Sequence, residues 1–177
     1  MSCTKRFVSG SVFLIAVVFA AFSLLSLLTT EWYVSPSGKH MGIPSNCNDT
    51  FVSVQGVNVT FCQSFGFNSF ANNVEKGLAG ALLTSFILAL LVASSLCLNC
   101  CSRTSGFLAV VMLIASFGNA FVCLTYYVYE KNRVTAEMSI GYSYYSCIFS
   151  TALGLCGGLL SLATSKDHHY RDYVRLD

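Results

Sequence analysis

The sequence predicts an all-α membrane protein, a four-helix transmembrane bundle that carries an antiparallel β element outside the membrane. Four long apolar stretches contain no charged residue, and the 177-residue chain is 54% hydrophobic but only 10% charged. Each stretch holds about 20 residues, enough at ~1.5 Å per residue to span the ~30 Å hydrocarbon core of a bilayer. A span in lipid must satisfy its own backbone hydrogen bonds, so all four are predicted to be helices. Within a single domain, 1–177, the predicted spans are 8–28, 77–98, 106–128 and 140–163.

The first span and the distribution of basic residues set the predicted orientation. The apolar run after Lys5 and Arg6 exceeds the ~7–15 residues of a signal-peptide core, so we expect an uncleaved signal anchor. Six of the ten Lys and Arg residues fall in the segments that lie on the same side of the membrane as the N-terminus, although the segments on the other side are longer. The positive-inside rule therefore predicts both termini in the cytoplasm, an extracellular loop over 29–76 and a cytoplasmic tail over 164–177.

The loop 29–76 has features expected outside a cell. Asn48 and Asn58 each begin an N-glycosylation sequon. Cys47 and Cys62 are the only cysteines in the outer segments, where oxidation is permitted, so we expect them to form a disulfide. The loop is thus predicted to be a sugar-bearing, oxidised extracellular unit.

Residues 50–62 are rich in β-branched and aromatic residues around Gly56, a pattern that predicts an antiparallel hairpin. A four-residue loop at 53–56 would place Cys47 directly opposite Cys62. A two-residue turn at 55–56 would instead leave the two cysteines diagonal. Either register brings the sulfur atoms close, and the bridge would clamp the hairpin.

Aromatic and charged residues mark the remaining outer segments. Trp32, the sole Trp, lies where the first span ends, and an anchor at the membrane interface is the simpler interpretation; a cap over the small extracellular domain is the alternative. A Phe cluster before the second span predicts either a short amphipathic helix on the membrane surface or a loop whose rings dip into the interface. The second outer loop, 129–139, is predicted to be a solvated connector, with a contact surface as the alternative. The Phe cluster before the second span consists of Phe65, Phe67 and Phe70.

Small and polar residues inside the spans predict how the helices pack. Gly154 and Gly158 lie four residues apart, a spacing that lets helix backbones approach. Packing within the bundle is the favoured interpretation, and joining of two protomers is the alternative. Asn119, mid-span in the third helix, is expected to hydrogen-bond to another helix, an interaction worth ~0.6–2 kcal/mol. Because the spans contain no charged residue, a pump, transporter or voltage sensor is not predicted.

Three cysteines, Cys97, Cys100 and Cys101, lie where the second span meets the cytoplasm. A Cys-x-x-Cys pair suits a membrane thiol oxidoreductase, but that chemistry needs the oxidising side of the membrane. S-palmitoylation is therefore the preferred interpretation. The sequence holds no Walker loop, dinucleotide fingerprint or zinc-protease helix, so we expect no enzymatic activity, cofactor or metal. The net charge of +2, without a basic stripe, argues against nucleic-acid binding.

These features together resemble the claudin superfamily, which includes the peripheral myelin, epithelial membrane and lens fibre membrane protein group and the calcium-channel gamma subunits. As architecture, the resemblance covers nearly the whole chain. It implies a left-handed four-helix bundle topped by a small extracellular antiparallel β-sheet, with the Cys pair bridging two strands. The motifs that carry it are Trp32, Cys47, Cys62, Gly141-Tyr-Ser-Tyr-Tyr145 and Gly154-Leu-Cys-Gly-Gly158.

The resemblance implies a function without catalysis. We expect a plasma-membrane protein that acts by lateral and cell–cell association through its extracellular sheet, in membrane organisation, a cell junction or adhesion. The alternative is an auxiliary subunit that binds and modulates an ion channel or receptor. The expected partners are the lipid bilayer and other membrane proteins, with no small-molecule substrate. Met41-Gly42-Ile43 stands where junction-forming claudins have Gly-Leu-Trp, which weighs against a paracellular pore.

Overall fold

Four long α-helices dominate the structure, a computed structural model that describes residues 3–35, 40–46, 49–54, 57–63, 65–98, 105–130 and 138–174. A single turn of 3-10 helix, Phe67–Ser69, precedes the second helix. The helices form a ring in chain order, because each packs against the helices before and after it and the first also packs against the fourth. They are α1 Cys3–Leu28, α2 Asn73–Leu98, α3 Ser105–Glu130 and α4 Tyr142–Val174.

All four helices are long and apolar enough to cross a membrane, with mean hydropathy between 1.7 and 2.6 over segments of at least 21 residues. Much of each segment stays exposed in the isolated chain, and the exposed side chains include many Leu, Ile, Val and Phe residues. Hydrocarbon accommodates such surfaces, whereas water does not. The chain is therefore a multi-pass membrane protein. The membrane-crossing segments are Val8–Leu28, Asn73–Cys97, Gly106–Glu130 and Tyr142–Ala163.

The start of α2 differs from the predicted boundary at 77. The helix begins at Asn73 because the Asn72 side chain accepts the backbone N–H of Glu75 at 2.9 Å and so caps the first turn. Glu75 and Lys76 therefore belong to the helix rather than to the preceding loop. The loop accordingly ends at 72 instead of 76.

The start of α4 was predicted two residues too early, at 140. The helix begins at Tyr142 because Ser139–Ile140 form a β-strand. At its other end the helical backbone continues to Val174, beyond the predicted end of the span at 163. Most of the predicted tail is thus helical.

Among the described residues, five short strands lie at one end of the helix ring, where α1 and α3 end and α2 and α4 begin. We call this part, residues 29–72 with 138–141, the cap. A three-stranded antiparallel sheet has the order β2-β1-β5, and Tyr33 of β1 pairs with Met41 on one side and Ile140 on the other. The predicted solvated connector therefore contributes a strand to the sheet. These strands are β1 Tyr33–Val34, β2 His40–Met41 and β5 Ser139–Ile140.

The predicted hairpin is present as β3, Asp49–Val54, and β4, Val57–Cys62. Val54 pairs with Val57, so only two residues connect the strands, and Asp49 stands opposite Cys62. The register is therefore that of the two-residue turn, and the alternative with Cys47 directly opposite Cys62 is wrong. Beyond β4, an isolated bridge joins Phe61 to Thr29 at the end of α1.

The buried apolar side chains form two clusters at different depths. One lies beneath the cap and includes Trp32, Tyr33, Leu82 and Tyr126. The other lies deeper in the ring and is built mainly from small residues and a few large ones, among them Phe19 and Met112. The cap thus shares a continuous core with the helices that carry it.

Candidate functional site: the cap and its attachment to the bundle

Trp32 fixes the cap to the bundle from inside. Its side chain is 0% exposed, and its Nε1–H donates to the carbonyl oxygen of Ser26 at 2.9 Å. That carbonyl belongs to the last turn of α1, where no intrahelical donor is available. The indole also packs on Tyr126 of α3 and Tyr144 of α4, with ring centroids 4.8 and 5.7 Å away. The interpretation of Trp32 as an anchor facing the membrane interface is therefore wrong.

Tyr33 extends this aromatic contact into the three-stranded sheet. Its ring stacks on Tyr126 at 5.9 Å and lies 6.1 Å from Tyr144. Burial, and then the neighbouring Tyr127 and Glu130, raise the pKa of the Tyr33 phenol above its ordinary value. The phenol therefore stays neutral well into the alkaline range, as a residue in an apolar contact should.

Glu31 joins the hairpin to the three-stranded sheet. Its Oε1 accepts a hydrogen bond from Thr60 Oγ1 of β4 and lies 3.8 Å from His40 Nδ1 of β2. The backbone carbonyl of Glu31 also accepts the N–H of Ser143 at 3.1 Å. The segment after α1 is therefore bonded to both sheets and to the first turn of α4.

Two contacts complete this junction. Tyr142 Oη accepts the Thr60 N–H at 2.9 Å, which bonds the hairpin to α4 directly. Gly141 lies so close to Glu31 that an added Cβ would overlap the Glu31 carbonyl group. Only glycine permits this approach of two backbones.

Glu75 performs the corresponding role at α2. The side chain is buried, and its Oε2 accepts hydrogen bonds from Ser45 Oγ at 2.8 Å and from the Ala71 N–H at 3.0 Å. Asn72 Nδ2 lies 2.9 Å from both Glu75 Oε1 and the Tyr129 hydroxyl, so the start of α2 is bonded to the end of α3. The sequence contains the signal for this arrangement, an Asn followed three residues later by Glu, which is typical of a helix N-terminus.

The predicted outer site residues are only partly described. Cys62 is disulfide-bonded, and its Sγ lies 3.9 Å from Ser69 Oγ. Cys47 and Asn48 lie outside the described residues, so the pairing and the first sequon stay predictions. The backbone of Asn58 lies in β4, opposite Ser53.

The predicted packing residues lie inside the helix ring. Asn119 is fully buried, and its Nδ2 donates to Ser23 Oγ of α1 and Ser150 Oγ of α4, both at 2.7 Å. An added Cβ at Gly154 would meet the Phe19 ring of α1 at 2.7 Å, and one at Gly158 would meet Leu113 of α3 at 2.8 Å. The glycine pair therefore serves packing within the bundle.

Cys97 is a free, exposed thiol near the end of α2 farthest from the cap. It borders an open apolar groove of about 600 Å³ that also includes Phe13 of α1 and Leu90 and Leu91 of α2. Cys100 and Cys101 lie outside the described residues, so palmitoylation of the three cysteines stays a prediction. Among the described residues, no three His, Cys, Asp or Glu side chains are grouped as a metal site requires.

Comparison with known proteins adds no relative: no protein-family model and no curated protein matches the chain. Function must therefore be argued from the cap and the helix surfaces themselves.

Proposed function

We propose that this chain is a non-enzymatic four-span plasma-membrane protein of the claudin and myelin-protein type, which associates laterally and between cells through its cap. The supporting observation has two parts. The cap is hydrogen-bonded to all four helices, and it presents large apolar side chains at its surface. Phe51 is 63% exposed, Val52 44% and Phe65 42%. Large apolar side chains exposed away from the membrane-crossing segments suit a surface that a partner covers.

The proposed orientation places the cap outside the cell. The disulfide at Cys62 supports it, because such bonds persist in oxidising compartments and not in the cytosol. The excess of Lys and Arg in the opposite segments agrees with it. A cap held in this orientation faces the caps of neighbouring molecules and of adjacent cells.

Mixed cell cultures test the proposal. Cells that express the fluorescently tagged full-length chain are grown among unlabelled cells that lack it. We expect the protein to concentrate where two expressing cells touch, and to stay uniform where an expressing cell touches a non-expressing one, which serves as the internal control. Uniform staining at both kinds of contact would argue against association between cells.

One observation favours the alternative, an auxiliary subunit of a channel or receptor. Large exposed apolar residues recur along α3 at alternating intervals of three and four, which makes one continuous helix face. Such a face suits packing against a membrane helix of a larger partner. Purification in a mild detergent separates the two functions: a stoichiometric channel or receptor subunit favours the alternative, and self-association alone argues against it. The exposed apolar face of α3 comprises Phe107, Val110, Ile114, Phe117, Phe121, Leu124 and Val128.

A further inference from the structure

Strand β3 is the outer strand of the hairpin. Within the described part of the chain its only strand neighbour is β4, and β4 is covered on its other side by the bridge to Thr29. Phe51, Val52 and Ser53 in the middle of β3 are all exposed. Within the described residues of the cap, β3 thus presents a strand edge six residues long that no further strand covers.

The hydrogen bonds of Thr60 show which backbone groups this edge presents. Thr60 uses its N–H on the Tyr142 hydroxyl, and its carbonyl accepts from the Thr30 N–H at 3.4 Å, both away from β3. In an antiparallel pair, residues directly opposite exchange either both hydrogen bonds or neither. Phe51, opposite Thr60, therefore directs its own N–H and carbonyl to the outer edge. The alternation places the same groups of Asp49 and Ser53 there.

The composition of β3 provides no protection against pairing. Edge strands of soluble monomers usually carry Lys, Pro or a bulge that prevents another strand from adding to them. Residues 49–54 are Asp-Thr-Phe-Val-Ser-Val, with no such residue and a single charge at one end. β-Branched and aromatic residues are those that pair well across strands.

We propose that β3 binds β3 of a second copy of this chain, antiparallel and about a two-fold axis at Phe51. Among the two-fold registers that the outward backbone groups permit, this one pairs the largest number of outward-directed residues, namely Asp49, Phe51 and Ser53. It places Phe51 opposite Phe51, an aromatic pair, and Asp49 opposite Ser53, so that no like charges meet. The two hairpins then form one four-stranded sheet. This inference depends on the proposed self-association, for which it names the contact.

Charge exchange at Phe51 tests the pairing. Two differently tagged copies of the full-length chain are co-expressed, solubilised in mild detergent and co-purified. Phe51→Lys in both copies, or Phe51→Glu in both, places like charges opposite each other, and we expect co-purification to fall about tenfold. Phe51→Lys in one copy with Phe51→Glu in the other places opposite charges together and should restore it. Loss without restoration, or no loss in either matched pair, would overturn the proposal.

Two further measurements exclude indirect effects. The same charge exchange at Asn68, exposed but outside β3, should leave co-purification unchanged. If either Phe51 variant fails to reach the cell surface, Ser53→Pro replaces it, because proline removes an N–H from the outer edge without breaking a bond to β4. Co-purification of Ser53→Pro at the wild-type level would contradict the pairing.

The pairing and the proposed function can fail independently. Enrichment at cell contacts without charge rescue would overturn this inference and leave the proposed function standing. Charge rescue without enrichment would support the pairing as a lateral one and count against association between cells.

Discussion

Trp32 and Asn119 show how single residues join parts of this chain that are distant in sequence. The Trp32 indole contacts three helices at the cap end, and Asn119 bonds α1, α3 and α4 to one another inside the ring. Each presents a polar hydrogen that finds an acceptor in an otherwise apolar surrounding. A buried donor that has lost its acceptor is costly, so these bonds favour one arrangement of the helices.

Trp32→Phe should lower the free energy of unfolding by about 1–2 kcal/mol, because it leaves the Ser26 carbonyl buried without its donor. Trp32→Ala should cost about 3–5 kcal/mol, because it also empties the space between the helices. Unfolding of the purified protein in mixed micelles by increasing denaturing detergent measures both. Leu14→Ala, at a position of α1 that is 61% exposed, is the control and should change stability by less than about 0.5 kcal/mol. Equal losses in all three variants would contradict the role given to Trp32.

Asn119→Ala should destabilise the bundle by about 0.6–2 kcal/mol, the range for hydrogen bonds between membrane helices. A double-mutant cycle with Ser150→Ala isolates the bond, and a thermal unfolding series should give a coupling of at least about 0.5 kcal/mol. Thr84→Ala is the matched control, because the exposed Thr84 hydroxyl bonds to Gly80 of its own helix. Its coupling to Ser150→Ala should be close to zero. A coupling of zero between Asn119 and Ser150 would show that the amide does not bond α3 to α4.

At the scale of elements, β1 and the turn before α4 connect the cap to the ring. β1 lies between β2 and β5, so the segment between α1 and α2 and the segment before α4 both contribute strands to one sheet. The N–H of Gly141 donates to the Trp32 carbonyl at 2.9 Å, and that of Ser143 donates to the Glu31 carbonyl. The exit from α1 and the entry to α4 are therefore bonded backbone to backbone, which requires the close approach at Gly141.

Gly141→Ala should loosen this connection, because the added methyl would overlap the Glu31 carbonyl carbon, 2.7 Å from the ideal Cβ position. We expect a loss of about 1–3 kcal/mol, the range for forced backbone displacement at a packed site. Limited proteolysis should then cut the cap faster than in the wild type. Gly77→Ala is the control, since a Cβ there meets no atom within 4 Å. Similar cleavage rates in the two variants would refute the argument.

The whole molecule combines an apolar helix ring with a cap that contains the disulfide-bonded Cys62, and the sequence predicts these two parts unequally well. The helices follow from composition, because apolar runs of membrane length have one stable backbone form. β5 could not be predicted, since its pairing with β1 joins residues more than one hundred positions apart and spans only two residues. The burial of Trp32 likewise depends on α3 and α4. The start of α2, where Asn72 and Glu75 bond to each other, was predictable from the local spacing of these two residues.

The orientation of the whole chain gives a prediction of its own. If the cap is extracellular, Asn48→Gln and Asn58→Gln should each abolish one glycosidase-sensitive shift in gel mobility. A membrane-impermeant thiol reagent should label Cys47 and Cys62 only after reduction. Cys62→Ser should lower the free energy of unfolding by about 3 kcal/mol, because the cross-link is lost. Labelling after permeabilisation is the control for access. Unmodified sequons together with free thiols at both positions would place the cap in the cytosol.

The backbone bonds between the α1 exit and the α4 entry have a mechanical consequence. Helices adapt to a thicker or thinner bilayer by changing their tilt. Since the Glu31 and Trp32 carbonyls accept hydrogen bonds from Ser143, in the first turn of α4, and from Gly141, just before it, tilting of α4 against α1 must displace the sheet that continues from them. The angle at which the cap stands above the lipid is thereby coupled to the thickness of the membrane around it.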